Sequence, residues 1–184
     1  YILGINSFHA DSSAALLGDG KVLFAAEEER FNRMKHWAGF PYHSIEWCLN
    51  EAGISLQQIK HLAINCDPKA NLKRKILTTL KNRPNPGFIY QRIKNKQDRV
   101  NIIPQLNKFF KNDLFEGELH FIEHHRAHLA STFYTSQFTK SVTISVDGFG
   151  DFASAAVGFG NKSKINISKK VFFPHSLGVF YTAI

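Results

Sequence analysis

Three histidines and an arginine lie within the nine-residue segment EHHRAHLAS, residues 123–131. In a helix of about 3.6 residues per turn, His124 and His128 project from the same face about 6 Å apart along the axis, whereas His125 points elsewhere. Two imidazoles placed in this way can share one cation, each at about 2.1 Å. Two ligands rarely hold a metal by themselves, so a third ligand is expected from another segment.

The segment VDGFGD, residues 146–151, contains the candidate third ligand, Asp147. A helix that runs back along a sheet, followed by a returning strand, would bring Asp147 to the sheet end that holds His124. Two imidazoles and a carboxylate suit iron, manganese or zinc, and the residues alone do not choose among these metals. The alternative interpretation is that His124 caps its helix and His128 is half-buried, with no metal involved.

Two glycines of the same segment, Gly148 and Gly150, are candidate contacts for an anionic cofactor. Glycine lets the backbone turn sharply at the end of a strand, and the turn can present backbone amides to an anion. An ordinary β-turn has a similar composition, so this pattern alone is weak. The histidine segment does not predict a peptidase, because a zinc-protease helix needs Glu directly after its first histidine and His125 occupies that place.

Two further segments are polar where the chain leaves a predicted strand. NSFHADSS, residues 6–13, contains His9 and Asp11, which could contact a phosphate, although such residues are also ordinary turn formers. EEERFNRMKHWAGFP, residues 27–41, contains Arg30, Arg33, Lys35 and His36, a cluster that suits an anionic substrate. The alternative for the second segment is a solvated edge.

Length and composition indicate a soluble globular protein. The 184 residues are 43% hydrophobic, enough for one ordinary domain with or without part of another. No apolar run reaches the roughly 18 residues needed to cross a bilayer, and no signal peptide is recognisable, so a cytoplasmic location without membrane contact is expected. The two cysteines, Cys48 and Cys66, indicate no disulfide framework and are compatible with a reducing compartment.

The net charge of +8 is concentrated in one stretch. Residues 69–112 contain twelve Lys or Arg and the single acid Asp98, a local charge of +11. Helical patches in this stretch are interrupted by RPNPG, so it is predicted to be an inserted, mostly helical basic arm.

The order of elements predicts an α/β protein with an internal repeat. Strand-like runs at 2–28 are followed by a helix after Pro41 that ends at Gly53, and IKHLAIN reads as a strand buried on both faces. The segment after residue 123 is predicted to be a helix on which Phe138 is available for packing. Residues 142–173 repeat the strand layout of 2–28, which suggests a duplicated domain with a cleft between the halves. The second copy looks unfinished and the chain looks cut.

With its motifs in order, the chain resembles the N-terminal part of the carbamoyltransferase family that includes the nodulation-factor and antibiotic O-carbamoyltransferases. The matching residues are GINSFHADSSAALLGDGKVLFAAEEERFNRMKHWAGFP, EHHRAHLAS and SVDGFGD. The resemblance implies a mixed-sheet, ribonuclease H-like or actin-like α/β fold. One copy would be complete over 1–140, with the basic insertion at 69–112, and a second copy would begin over 141–184.

The resemblance also implies an activity and roles for particular residues. Relatives are expected to make carbamoyl-adenylate from carbamoyl phosphate and ATP and to pass the carbamoyl group to a hydroxyl of a small acceptor. The metal, with iron ahead of manganese and zinc, falls on His124, His128 and Asp147. Around carbamoyl phosphate and ATP, the catalytic residues are expected to be His9 and Lys35. These two residues would bind substrate together with Asp11 and Arg33. The expected cofactor-binding residues are Gly148 and Gly150. Many relatives read H-D-S where this chain has His9-Ala10-Asp11, so the position of His9 is ambiguous by one residue.

The sequence leaves one expectation about the fragment and two alternative functions. The fragment by itself is expected to be inactive, because the rest of the second copy and a C-terminal part would be missing partners. A tRNA-modifying threonylcarbamoyl-type transferase is an alternative, since the basic arm could follow phosphates, although nucleic acid is not the favoured partner. A non-enzymatic scaffold with the same fold is the other alternative.

Overall fold

The computed structural model describes residues 1–82, 101–111 and 113–184. The described strands are β1 (Ile2–Asn6), β2 (Ser13–Gly18), β3 (Lys21–Glu27), β4 (His61–Ile64), β5 (Glu118–Phe121), β6 (Lys140–Gly150), β7 (Ala153–Asn161) and β8 (Lys164–Phe172). The described α-helices are α1 (Glu29–Asn32), α2 (Tyr42–Ala52), α3 (Leu72–Asn82), α4 (Ile102–Phe109), α5 (His124–Tyr134) and α6 (Leu177–Ala183). The chain divides into two compact units, the first with the described residues of 1–65 and 101–121, the second with those of 66–82 and 122–184.

The first unit contains a five-stranded mixed sheet in the order β3-β2-β1-β4-β5. Strand β2 is antiparallel to its neighbours β1 and β3, whereas β4 is parallel to β1 and β5 is parallel to β4. The three-strand meander followed by parallel strands is the sheet of a ribonuclease H-like domain. The predicted fold class, a mixed-sheet α/β protein, is confirmed.

Helix α2 shows how local sequence signals produce the packing of this unit. The helix starts directly after Pro41 and ends at Gly53, whose φ of 63° is the left-handed conformation that glycine adopts at helix ends. Its apolar stripe includes Ile45 and Cys48, both fully buried, and the helix packs against β2 and β3. The helix and its end are therefore as predicted.

Strand β4 differs from its prediction. A strand buried on both faces was expected, but only Leu62 and Ile64 are buried, whereas His61 and Ala63 are half-buried on the opposite face. The expectation is wrong because short apolar strands with one polar residue fit either arrangement. One face of β4 therefore carries a polar side chain that is accessible to solvent.

The second unit contains the antiparallel sheet β6-β7-β8, and α5 packs against it. Its core cluster joins Leu129 and Phe133 of the helix to Ala156 and Ile165 of the sheet. Phe138, which was expected to be available for packing, is 68% exposed and lies beyond the end of the helix. That expectation is wrong because α5 ends at Tyr134, before the helical spacing reaches this residue.

Strands β6, β7 and β8 form consecutive antiparallel pairs as β1, β2 and β3 do, whereas the duplication of a domain stays a prediction. The division of the chain into domains at about residue 140 stays a prediction. Helices α3 and α4 lie in the predicted basic arm at 69–112, whereas its residues 83–100 and 112 lie outside the described residues. Among the helices in the described part of the chain, none is both long and apolar enough to cross a bilayer.

Candidate metal centre

The start of α5 is determined by two carboxylates. Glu123 accepts a hydrogen bond from the backbone N–H of Arg126 at 2.9 Å, and Asp151 accepts one from the backbone N–H of His124 at 2.9 Å. The first N–H groups of a helix have no partner within the helix, so these two bonds satisfy donors that would otherwise be unpaired. These two hydrogen bonds therefore fix the position of His124 in the first turn of the helix.

Three side chains converge where α5 begins and β6 ends. The Nε2 atom of His124 lies 2.7 Å from Oδ2 of Asp147 and 3.0 Å from Nε2 of His128. The Nε2 atom of His128 lies 3.5 Å from the same Asp147 oxygen. The predicted approach of Asp147 to both histidines is observed, and all three ligand atoms lie within 4.8 Å of one another.

These separations, from 2.7 to 3.5 Å, bracket those expected between ligands of a shared cation. Two ligands that each lie about 2.1 Å from one metal are about 3.0–3.4 Å apart at octahedral or tetrahedral angles. The Nε2 atom of His124 approaches both other ligand atoms, yet a ring nitrogen carries at most one hydrogen, which cannot serve both contacts equally well. The donor set of two imidazoles and a carboxylate suits iron, manganese or zinc. Metal binding and the identity of the metal stay predictions.

Two of the three candidate ligands have pKa shifts toward the form that binds a metal. Burial alone would raise the pKa of Asp147, but hydrogen bonds from the His124 ring and from the Gly148 N–H outweigh burial and lower it. Burial, together with the neighbouring His124 ring, lowers the pKa of His128. A neutral imidazole and an ionised carboxylate are the forms that bind metals.

The glycine segment adopts a different structure from the one predicted. Strand β6 continues to Gly150 with a register shift against β7, and the turn falls on Asp151 and Phe152, whose φ values are 49° and 73°. The amide of Gly148 donates to Oδ1 of Asp147 at 2.6 Å, so it orients the candidate ligand. Whether Gly148 and Gly150 contact a cofactor stays a prediction.

The third histidine of the segment, His125, points away from the cluster as expected. It is fully buried, and its Nδ1 atom lies 2.7 Å from the hydroxyl oxygen of Ser145 on β6. Burial lowers the pKa of His125, which favours a neutral ring. This histidine therefore joins the helix to the sheet.

The predicted substrate-binding residues lie in the first unit. Arg33 and Lys35 are exposed and line a pocket of about 260 Å³ together with Glu29 and Arg30. Arg33 adopts a φ of 61°, the left-handed conformation that ends α1. The structure therefore brings two of the predicted anion-binding residues to one concave surface, where two arginines and a lysine outnumber one carboxylate.

The other two predicted residues, His9 and Asp11, follow β1 and are not among the described residues that line this pocket. The two loops are nevertheless joined. Nδ1 of His36, next to Lys35, lies 3.0 Å from Oδ1 of Asp11, and the Ser12 hydroxyl is 2.7 Å from the backbone oxygen of Gly39. The roles of His9 and Asp11 in binding stay predictions.

Two structurally important carboxylates were missed by sequence reasoning. Glu28 is 2% exposed and accepts hydrogen bonds from the backbone N–H and hydroxyl of Ser44, both at 2.9 Å, while its other oxygen lies 2.6 Å from Nδ1 of His43. Asp151 accepts from the backbone N–H groups of His124 and Asp67. Glu28 sits in a run of three glutamates, where no pattern marks the buried one, whereas Asp151 could be suspected as the acid that closes the DGFGD motif.

The chain combines a mixed-sheet α/β unit with an antiparallel sheet whose packed helix carries part of a His-His-Asp cluster. It is therefore an α/β protein with a candidate metal centre. The family of the chain can be stated more specifically than this structural class. Residues 1–184 match the family model described as "Carbamoyltransferase N-terminus". The chain belongs to this family.

Two relatives and one solved structure illustrate the likeness. The chain is 33% identical over 192 residues to the uncharacterized protein sll1178 of Synechocystis, covering 100% of this chain and 31% of the relative. It is 31% identical over 179 residues to the nodulation protein NolNO of Sinorhizobium fredii, covering 96% of this chain and 25% of that protein. The chain thus spans about a quarter to a third of the length of these relatives.

The solved structure is YeaZ from Pseudomonas aeruginosa, with a TM-score of 0.49 and 13% sequence identity. The match covers 94% of this chain and 67% of YeaZ.

Proposed function

We propose that the whole protein is an ATP-dependent carbamoyltransferase that activates carbamoyl phosphate as carbamoyl-adenylate and transfers the carbamoyl group to a hydroxyl of a small acceptor such as a sugar or an antibiotic. Membership of the carbamoyltransferase family over residues 1–184 supports the general class of reaction. The likeness to the nodulation protein NolNO supports the same general class, and the small acceptor is part of the proposal.

The observation that carries the proposal is the approach of Asp147 to both histidines, with His124 Nε2 2.7 Å and His128 Nε2 3.5 Å from one carboxylate oxygen. A bound divalent metal would supply positive charge to offset the repulsion between carbamoyl phosphate and the ATP phosphates. These three residues would hold the metal. The cluster residues lie within the segments that carry the family likeness, so the geometry and the family membership support the same proposal.

The chain's own residues would bind and orient the anionic substrate. Arg33 and Lys35, which line one pocket, would pair with the phosphate of carbamoyl phosphate. His9 and Asp11 would act from the adjoining loop, which Asp11 joins to His36 at 3.0 Å. Fixing the orientation of carbamoyl phosphate in this way would lower the entropic part of the barrier to its reaction.

The proposed reaction balances in two steps. In the first, one water cleaves the bond between the carbamoyl and phosphate groups, which gives carbamate and phosphate. A carbamate oxygen then forms a bond to the α-phosphorus of ATP as the bond from that phosphorus to pyrophosphate breaks. In the second, the acceptor hydroxyl forms a bond to the carbamoyl carbon, loses its proton, and AMP leaves. Each turnover therefore forms one AMP and one carbamoylated product.

The experiment supplies the intact protein with carbamoyl phosphate, ATP and a panel of hydroxylated acceptors, and measures AMP and carbamoylated product by mass. We expect His128→Ala to lower the rate by about 100-fold or more, because the loss of metal charge costs several kcal/mol of stabilisation in the transition state. His128 is chosen because its side chain is 47% exposed, so its removal should not impair folding. The same variant should contain less tightly bound metal, which elemental analysis measures.

Thr132→Ala is the matched control, because Thr132 is an exposed residue of the same helix and its hydroxyl contacts the His128 backbone oxygen at 3.0 Å. Its activity should stay near that of the parent protein. Equal activity and equal metal content in His128→Ala and the parent would contradict the proposal. Loss of metal without any change in rate would show that the metal centre takes no part in the reaction.

The role of the basic arm at 69–112 distinguishes the proposed carbamoyltransferase from a tRNA-modifying enzyme. The guanidinium of Arg74 lies 4.1 Å from the centre of the Phe172 ring, a cation–π contact within the second unit. This contact favours an arm that packs on protein. We expect tRNA binding to be weak, and tight binding that falls steeply with salt and is lost on neutralising Lys73, Arg74 and Lys75 would favour the alternative.

A further inference from the structure

A second group of metal-ligating side chains lies on the first unit and shares no residue with the candidate metal centre. His61 starts β4, and Glu118 and His120 lie on the adjacent strand β5. The Nδ1 atom of His61 lies 3.0 Å from Nε2 of His120. Oε2 of Glu118 lies 3.8 Å from the His61 nitrogen and 3.7 Å from the His120 nitrogen, so all three ligand atoms lie within 4.8 Å of one another.

The sheet itself holds these residues in place. Strands β4 and β5 are parallel, with His61 opposite Glu118 and Ala63 opposite His120. Alternate residues of a strand share a face, so all four side chains lie on the same side of the sheet. The small side chain of Ala63 leaves space beside His120, and the hydrogen-bonded ladder fixes the backbone that carries all three candidate ligands.

The face of the sheet explains why the cluster is accessible. Leu62 and Ile64 of β4 point to the buried side, whereas the side chains of His61 and His120 are 44% and 41% exposed and that of Glu118 is 76% exposed. A cation held here would have three protein ligands and positions open to solvent. Three ligands with an open position is the arrangement of zinc sites that bind a further ligand.

The donor types select the class of metal. Two imidazole nitrogens 3.0 Å apart can share one hydrogen or one cation, and the neighbouring Glu118 carboxylate supplies a third donor atom for a cation. Calcium and magnesium prefer oxygen ligands, whereas imidazole with carboxylate suits zinc and similar transition metals. We propose that His61, Glu118 and His120 form a second binding site for a divalent transition metal of the zinc type, with open positions for water or for a donor from elsewhere.

The test counts zinc bound by the intact protein after removal of metals with a chelator. The variant with both His124→Ala and His128→Ala removes the first centre, and zinc alone is titrated into it by calorimetry. We expect one zinc ion to bind still, and to be lost when His120→Ala is added. Glu118→Gln should weaken binding by about tenfold or more, since loss of even an indirect partner of a metal ligand costs about 10–100-fold in affinity.

His175→Ala is the matched control, because His175 is an exposed histidine outside both clusters. It should leave zinc binding unchanged. Should the variant lacking the first centre not fold, His120→Ala is compared with the parent protein, and the number of bound zinc ions should fall by one. An unchanged number, or zinc that an equal concentration of magnesium displaces, would overturn the proposal, whatever the carbamoyltransferase assay shows.

Discussion

An added Cβ on Gly150 would lie 2.0 Å from Cδ2 of the His124 ring. The absence of a side chain at this position of β6 therefore allows the imidazole to lie against the strand and to reach Asp147. Glycine is needed at this position because a side chain would collide with the ring. A positive φ is not the reason, since Gly150 does not have one.

The first prediction is that Gly150→Ala displaces the His124 ring. We expect at least about tenfold weaker metal binding and a loss of about 1–3 kcal/mol in the free energy of unfolding, as for overpacked cores. Metal content and urea unfolding are the measurements. Gly148→Ala is the matched control for stability, because a Cβ there meets no described atom within 4 Å. Equal metal content in Gly150→Ala and the parent would contradict this account of the glycine.

The second prediction concerns Asp151, whose Oδ2 accepts from the backbone N–H groups of His124 at 2.9 Å and Asp67 at 2.8 Å. Asp151→Ala leaves both donors without this acceptor and should lower the free energy of unfolding by about 1–3 kcal/mol. Asp151→Asn keeps a carbonyl oxygen and should cost less. Urea unfolding of the two variants checks the order, and an Asn variant less stable than the Ala variant would contradict it.

The third prediction concerns Glu28, the buried carboxylate that holds the first turn of α2. Its contacts with His43 and Ser44 satisfy donors at the start of the helix. Glu28→Ala should cost about 1–3 kcal/mol, because it leaves buried polar groups unpaired. The neighbouring Glu27 is exposed, so Glu27→Ala is the control and should change stability by less than about 0.5 kcal/mol. Thermal unfolding of both variants distinguishes them.

The fourth prediction concerns the two cysteines. Burial raises the pKa of Cys48 to about 11, despite a hydrogen bond from the backbone, and its side chain is fully buried. At pH 8 its thiolate form is therefore scarce and shielded from reagents. Cys66 is partly exposed, so iodoacetamide should modify Cys66 first and Cys48 only after unfolding. Mass spectrometry of timed digests measures the order, and early labelling of Cys48 in the folded protein would be the contrary result.

Part of the fold could be predicted from local patterns. Helix α2 has an apolar stripe, a proline before it and a glycine after it, and each signal depends only on neighbouring residues. The residue pair His124 and His128 could be recognised in the same way, because helical spacing alone puts them on one face. Strand β4 was less predictable, since the burial of each face depends on what packs against the sheet.

Contacts between distant segments were harder to predict. Asp147 was expected near His124 from the order of a helix and a strand, and the structure brings them together. Asp151 was missed, because the pairing of its carboxylate with two distant amides leaves no trace in spacing. The approach of His61 to His120 was missed for a related reason, since it depends on the register of two parallel strands.

The amino-acid sequence by itself determined the order of strands and helices, the spacing of the two imidazoles and the family motifs, because these depend on residues close together in the chain. Only the tertiary structure decided which of three consecutive glutamates is buried, which glycine lies against an imidazole ring and which polar residues of β4 and β5 share a face. Those outcomes depend on strand register and on helix packing, which are set by the free energy of the whole fold.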